Sequence, residues 1–148
     1  EAKIYGWFTG LFGTSFAQFA ALYHTRNSIS KSLFKTLIII CSIEVVAAFV
    51  SVFAFWSFVV VEVHSAFGLV LIVTILENIH YKKTKSQLSL FMIYGVGVAV
   101  LAVLCHVFKL AFSVWFNHMD LSHIFMAISM YLMYKGASLY QSSEPELV

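Results

Sequence analysis

The sequence predicts an all-α integral membrane bundle of about five transmembrane helices, and three observations carry that expectation. Hydrophobic residues make up 61% of the 148 and charged residues 11%, with a mean hydropathy of +0.90. A water-soluble domain could not cover its surface with so few charges. From Ile4 to Ala137 the text is almost continuously apolar and divides into lengths near the roughly 20 residues that cross a hydrocarbon core. Charges other than Glu44, Glu62, Glu77, Lys109 and Asp120 gather in two short basic loops and at the chain ends, and six histidines stand near predicted helix ends. The net charge of +2 is small and sits in loops, so it reads as topology and contact with lipid headgroups. No nucleic-acid partner is implied.

The first span is read at residues 5–24. Gly6 and Gly10, continued by Gly13 and Ala17, make a ridge of small residues that lets a neighbouring helix approach closely. The chain opens at Glu1 without an initiator Met, which reads as processing or as a piece of a longer protein with further spans upstream. With only Lys3 before the apolar run and no small-x-small cleavage site, this is expected to be a retained span rather than a signal peptide. Residues 33–80 are too long for one crossing, so a tight turn near Phe55-Trp56-Ser57 must split them into spans 33–54 and 58–80. Spans 88–112 and 118–137 follow, and residues 141–148 form a polar tail. Cys41 and Cys105 lie inside apolar runs and make neither a disulfide framework nor a zinc ribbon. Nucleotide-binding, serine-hydrolase and short zinc motifs are absent from the sequence, as is any repeat of domain-building length.

Arg26, Lys31 and Lys35 mark the first loop, Lys82, Lys83 and Lys85 the third, and Lys135 closes the last span. In a five-span alternation all three positions fall on one side. The positive-inside rule then places the basic loops and the C-terminus in the cytosol and the N-terminus outside.

Folding that topology onto the bilayer brings separate residues to one depth. Glu62 and His64 on the third span, His106 on the fourth, and Asp120 and His123 on the fifth share a layer in the outer half. Ionisable groups at such depth cost a few kcal/mol each unless they face the interior and find partners. Three accounts fit the layer. In the first, its members fix helix register by hydrogen bonding to one another. In the second they hold a metal, with His64, His106 and His123 as ligands, His118 as a further one, and Asp120 or Glu62 as the catalytic carboxylate of a zinc site. In the third they bind haem, or relay protons or ions. Haem stacked along one helix needs both histidines on one face, whereas His64 and His80, 16 residues apart, point to nearly opposite faces at about 100° per residue. His24 and His80 can still pair at the inner surface, although an interfacial histidine such as His24 is expected to be solvated.

Glu44, flanked by Cys41 and Ser42, is a lone carboxylate near the middle of the second span, and by position alone it is functional or held neutral by a hydrogen bond. Glu77, Asn78 and His80 read as a snorkelled, salt-bridged cluster before Lys82 and Lys83. Met119, His123, Met126, Met130 and Met133 form one stripe on the last span. Such a stripe suits adaptable packing against a partner helix, and could alternatively hand on Cu(I).

The run Phe116-Asn117-His118-Met119-Asp120-Leu121-Ser122-His123, with the apolar helix ending Tyr134-Lys135-Gly136-Ala137, resembles the closing helix of an uncharacterised family of polytopic membrane proteins. In that family an Asn-His-Asn-Asp run precedes a His; here Met119 replaces the second Asn. A more distant likeness is to the ceramidase and adiponectin-receptor group of seven-span zinc hydrolases, which bind metal through an early His and a His-x-x-x-His in the last span. That likeness implies a metal-dependent hydrolase of lipid amides or esters. Here His118 and His123 are five apart, five spans are present, and the metal would use His64 or His106 in place of His24.

The first expectation for function is a non-enzymatic multi-pass protein of the lipid bilayer, a subunit or accessory of a larger membrane complex or a self-associating chain. The alternative is the zinc-dependent hydrolase, and a haem-binding or ion-conducting helper comes third.

Overall fold

The computed structural model describes residues 2–113 and 115–141, which form two compact units, residues 1–83 and 84–148. Among the described residues all regular structure is helical: α1, Ala2–Thr25; α2, Lys31–Phe55; α3, Phe58–Thr84; α4, Gln87–Val107; and α5, His118–Gln141. Three of these, α2, α3 and α4, are long and apolar enough to cross a membrane. The chain is a membrane-embedded helical protein. α1 and α5 each run 24 residues, or about 36 Å. They have the length of a span but also carry Thr14, Ser15 and Gln18, or Asp120, Ser122, His123 and Ser129, in the run. Of the five spans expected, length and composition support three among the described residues.

Local chemistry sets most helix boundaries. Ser30, Ser57 and Ser86 accept backbone N–H groups of the first turns of α2, α3 and α4, the usual role of a hydroxyl at a helix start. The turn expected between α2 and α3 is present: Trp56 adopts a left-handed conformation (φ 48°) and its N–H bonds the carbonyl of Val52. The fourth helix ends earlier than hydropathy implied, at Val107 rather than residue 112. Lys109 takes a left-handed conformation (φ 51°), and the N–H groups of Lys109 and Leu110 bond the carbonyls of His106 and Cys105. This is the paired closure of a Schellman motif. The apolar Leu110, Ala111 and Phe112 lie beyond it. The third helix runs further than residue 80, to Thr84.

In the first unit α1, α2 and α3 pack as a three-helix bundle. Two apolar clusters lie along it, Leu11, Ala48, Val52 and Val61 at one end and Leu22, Cys41, Ile72 and Leu76 toward the other. Phe8 and Phe12 of α1 both meet Phe49 of α2, and Tyr23 meets Phe34, so these two helices are antiparallel. α1 and α3 are parallel, because Gly10 faces Val61, Thr14 meets Ser65 and His24 meets Glu77 in rising order. Of the glycine ridge, Gly10 lies under a neighbour while Gly6 and Gly13 face open space.

The second unit is an antiparallel hairpin. Ser129 donates to the carbonyl of Gly95 at 2.7 Å, and a Cβ placed on Gly95 would lie 2.7 Å from Met133 and 3.2 Å from the carbonyl oxygen of Ser129. Gly136 approaches Phe91 and Leu88 in the same way. Small residues thus bring the two backbones together where packing and interhelical hydrogen bonds must drive association.

Candidate functional site

The polar residues of the first unit collect where α1 meets α3. His64 is 1% exposed. Its Nδ1 lies 2.8 Å from Oε1 of Glu44, and its Nε2 lies 3.2 Å from both the Leu11 carbonyl and Ser15 Oγ. A carbonyl only accepts, so Nε2 carries a proton. The Nδ1–Oε1 contact then holds one shared proton, as carboxylic acid and imidazole or as carboxylate and imidazolium, and either arrangement is neutral overall. Glu44, expected to be a lone carboxylate, is therefore half of a neutral pair, and its partner comes from the next helix. Its Oε2 is buried without a hydrogen-bond partner among the described residues.

Further along the same seam Thr14 and Ser65 share a hydrogen bond at 3.1 Å. Gln18 is fully buried, and neither of its amide atoms has a hydrogen-bond partner among the described residues. Gly68 is what admits it, since a Cβ there would stand 2.8 Å from Gln18 Oε1 and 2.6 Å from Thr14 Cγ2.

At the other end of the seam His24 Nδ1 lies 3.1 Å from both carboxylate oxygens of Glu77. The His24 and His80 rings are 4.4 Å apart, centre to centre. His80 Nδ1 is 2.7 Å from Ser28 Oγ, and Lys83 Nζ donates to the Ser28 carbonyl at 2.6 Å. The reading of Glu77 as a snorkelled residue is corrected: its side chain has no exposed surface. His24, expected to be solvated, is its partner. The two rings are in contact, which leaves no room for a macrocycle between them.

His64 and His80 both face α1, against the expectation of opposite faces. The reason is the stretch Ala66–Val73, which is π-helical. Bonds from i to i+5 widen the turn to about 4.4 residues, or about 82° per residue. Over eight such residues the helix falls behind an α-helix by about 145°, nearly cancelling the roughly 160° offset of regular geometry. The two polar clusters remain separate, however. Leu22, Ile72, Val73 and Leu76, all buried, lie along the bundle between them.

The other residues of the expected layer are placed by local bonding. Glu62 is half-buried on α3, about 200° around the helix from His64; a shared depth is not a shared face. In the second unit the His106 and His118 rings lie 5.5 Å apart. Asn117 Oδ1 accepts the Met119 N–H at 2.8 Å and Asp120 Oδ2 accepts the Asn117 N–H at 3.0 Å. This reciprocal pair is a capping box, the first turn of α5. Asp120, a candidate catalytic carboxylate, thus has a structural task, and the Asn-x-x-Asp spacing already signalled it. His123 is exposed, and its Nδ1 donates to the Met119 carbonyl at 2.6 Å. Among the described residues no group of three or more His, Cys, Asp or Glu side chains is placed to hold a metal ion.

The geometry therefore offers a polar-seamed membrane bundle and a capped hairpin. A family model described as "Family of unknown function (DUF6962)" matches residues 1–142. The chain belongs to this family. No curated protein and no solved structure matches the DUF6962 chain. The family match agrees with the expected likeness to an uncharacterised polytopic family, and it lends nothing to a link with the zinc hydrolases.

Proposed function

We propose that this chain is a non-enzymatic, five-span membrane protein that serves as a subunit or accessory of a larger membrane assembly. One observation carries the reading. Met119, His123, Met126 and Met130 are all exposed on α5, spaced to lie on one helix face, while Met133 is taken up against Gly95. A flexible thioether row with an imidazole in it is a surface made for adaptable contact with protein. The alternation of directions in the first unit supports one side for the two basic loops, as the proposed five-span topology with basic loops and C-terminus cytosolic requires: the turn at Arg26–Ser28 and the Lys82-Lys83 end of α3 share one end of that bundle.

The test is site-directed photocrosslinking in native membranes. A photoreactive residue at Met130 should give a discrete protein adduct of constant mass, whereas one at Ile43, exposed on α2, should give lipid adducts. Lipid adducts alone from Met130, Met126 and Met119 would remove the assembly reading.

A further inference from the structure

Between α2 and α3, in the first unit, runs a groove of about 310 Å³, within the size range of small-ligand sites. Its origin is legible residue by residue. On α2 the positions facing α3 are Ala47, Ala48 and Ser51, too small to fill the space between two helix backbones. Phe55, Val59 and Val63 form its apolar walls, and the floor is the Glu44–His64 pair. From Glu44 to Phe55 along α2 the groove spans about 16 Å, beginning near the middle of the span and ending at the Trp56–Ser57 turn.

What the floor offers is specific. The pair is neutral whichever partner holds the proton, so it exerts no net pull on an ion. His64 has no spare hydrogen-bonding atom, because Nδ1 is held by Glu44 and Nε2 by Ser15 and the Leu11 carbonyl. The unused atom of the pair is Glu44 Oε2, a buried acceptor with no hydrogen-bond partner among the described residues. A buried acceptor without a donor costs the desolvation of that group. The terminal torsion of a glutamate is soft, so a small turn of the carboxyl presents Oε2 to the groove. The molecule that fits is therefore uncharged, apolar along its length, and equipped with a hydrogen-bond donor at one end.

We propose that this groove binds a long-chain lipid alcohol, its hydroxyl donating to Glu44 Oε2 and its chain lying along Ala47, Ser51 and Phe55.

The experiment uses the full chain in phosphatidylcholine vesicles with a photoreactive sixteen-carbon alcohol as probe. Labelling should fall on residues 47–63. Unlabelled hexadecanol should compete about tenfold better than its methyl ether, which lacks the donor, and better than hexadecylamine, which is charged. Glu44→Gln should retain binding, because the amide N–H can serve His64 Nδ1 and leave the amide oxygen as acceptor. Glu44→Leu should lose it. Ala47→Phe fills the groove without touching the pair and should also abolish labelling, so the proposal stays testable even if Glu44→Leu does not assemble. Equal competition by the methyl ether would show an unselective lipid-facing crease and overturn the proposal. Preference for the amine would overturn it too, by showing recognition of charge. Unchanged labelling in Ala47→Phe would place the molecule elsewhere.

Discussion

Glu77 and His24 form a buried ion pair or hydrogen bond whose two halves lie 53 residues apart in the chain. Removing one half of such a pair leaves the other uncompensated. Glu77→Ala is expected to cost about 3–5 kcal/mol, and Glu77→Gln about 1 kcal/mol, because the amide keeps an oxygen for the His24 N–H. Thermal midpoints of purified protein in detergent check this; equal losses for the two variants would mean that packing, not pairing, holds Glu77. Both residues are visible in the sequence, but sequence alone sets Glu77 beside Lys82 and Lys83 and leaves His24 as an interfacial, solvated group. Hydropathy and depth give a residue's height in the bilayer. They do not say which helix it faces, and the parallel register of α1 and α3 decides that. The same gap explains Glu44, which looked solitary until α3 brought His64 to it.

Helix starts were the more legible features, since Ser30, Ser57, Ser86 and Asn117 are all residues whose side chains accept backbone N–H groups. Helix ends were harder. The closure at Lys109 uses a left-handed lysine where glycine is usual, and an apolar run continues past it, so hydropathy alone overextended α4 by five residues. Gly95 and Gly97 offer a direct test of how the α4–α5 hairpin is held. A methyl at Gly95 meets Met133 and the Ser129 backbone, and Gly95→Ala should lower stability by about 1–3 kcal/mol. Gly97 faces open space, and Gly97→Ala should be neutral or slightly stabilising through better helix propensity. Detergent melting curves for the two variants side by side make the comparison. Similar behaviour at both positions would show that close approach at Gly95 is not what holds the hairpin.

For the molecule as a whole, composition gave membrane residence and the helical class, and the three most apolar helices retain both. The number of crossings was less legible because α1 buries its polar residues against α3, a relation that a window of hydropathy records only as reduced apolarity. Orientation rests on charge. The end of the first bundle where Ser28 meets Lys83 carries Arg26, Lys31, Lys82 and Lys83, and in the orientation proposed above that end faces the cytosol. Thr84→Cys in intact cells should resist an impermeant maleimide and react after permeabilisation, and the native Cys41 and Cys105 are buried and give little background. Strong labelling of Thr84→Cys from outside would reverse the topology.

The π-helical stretch Ala66–Val73 also determines where this chain can change length. Eight residues there turn through about 655°, close to the roughly 700° of seven residues in an α-helix. A chain lacking one residue in this stretch could run as an unbroken α-helix and still point His64 and His80 within about 45° of their present directions. The same deletion between Phe58 and His64 would swing the two ends of α3 about 100° out of phase. Single-residue deletions in α3 are therefore expected to be tolerated unequally, and the wide turn beside Gln18 is the place where the gene can lose a codon without separating either histidine from its partners.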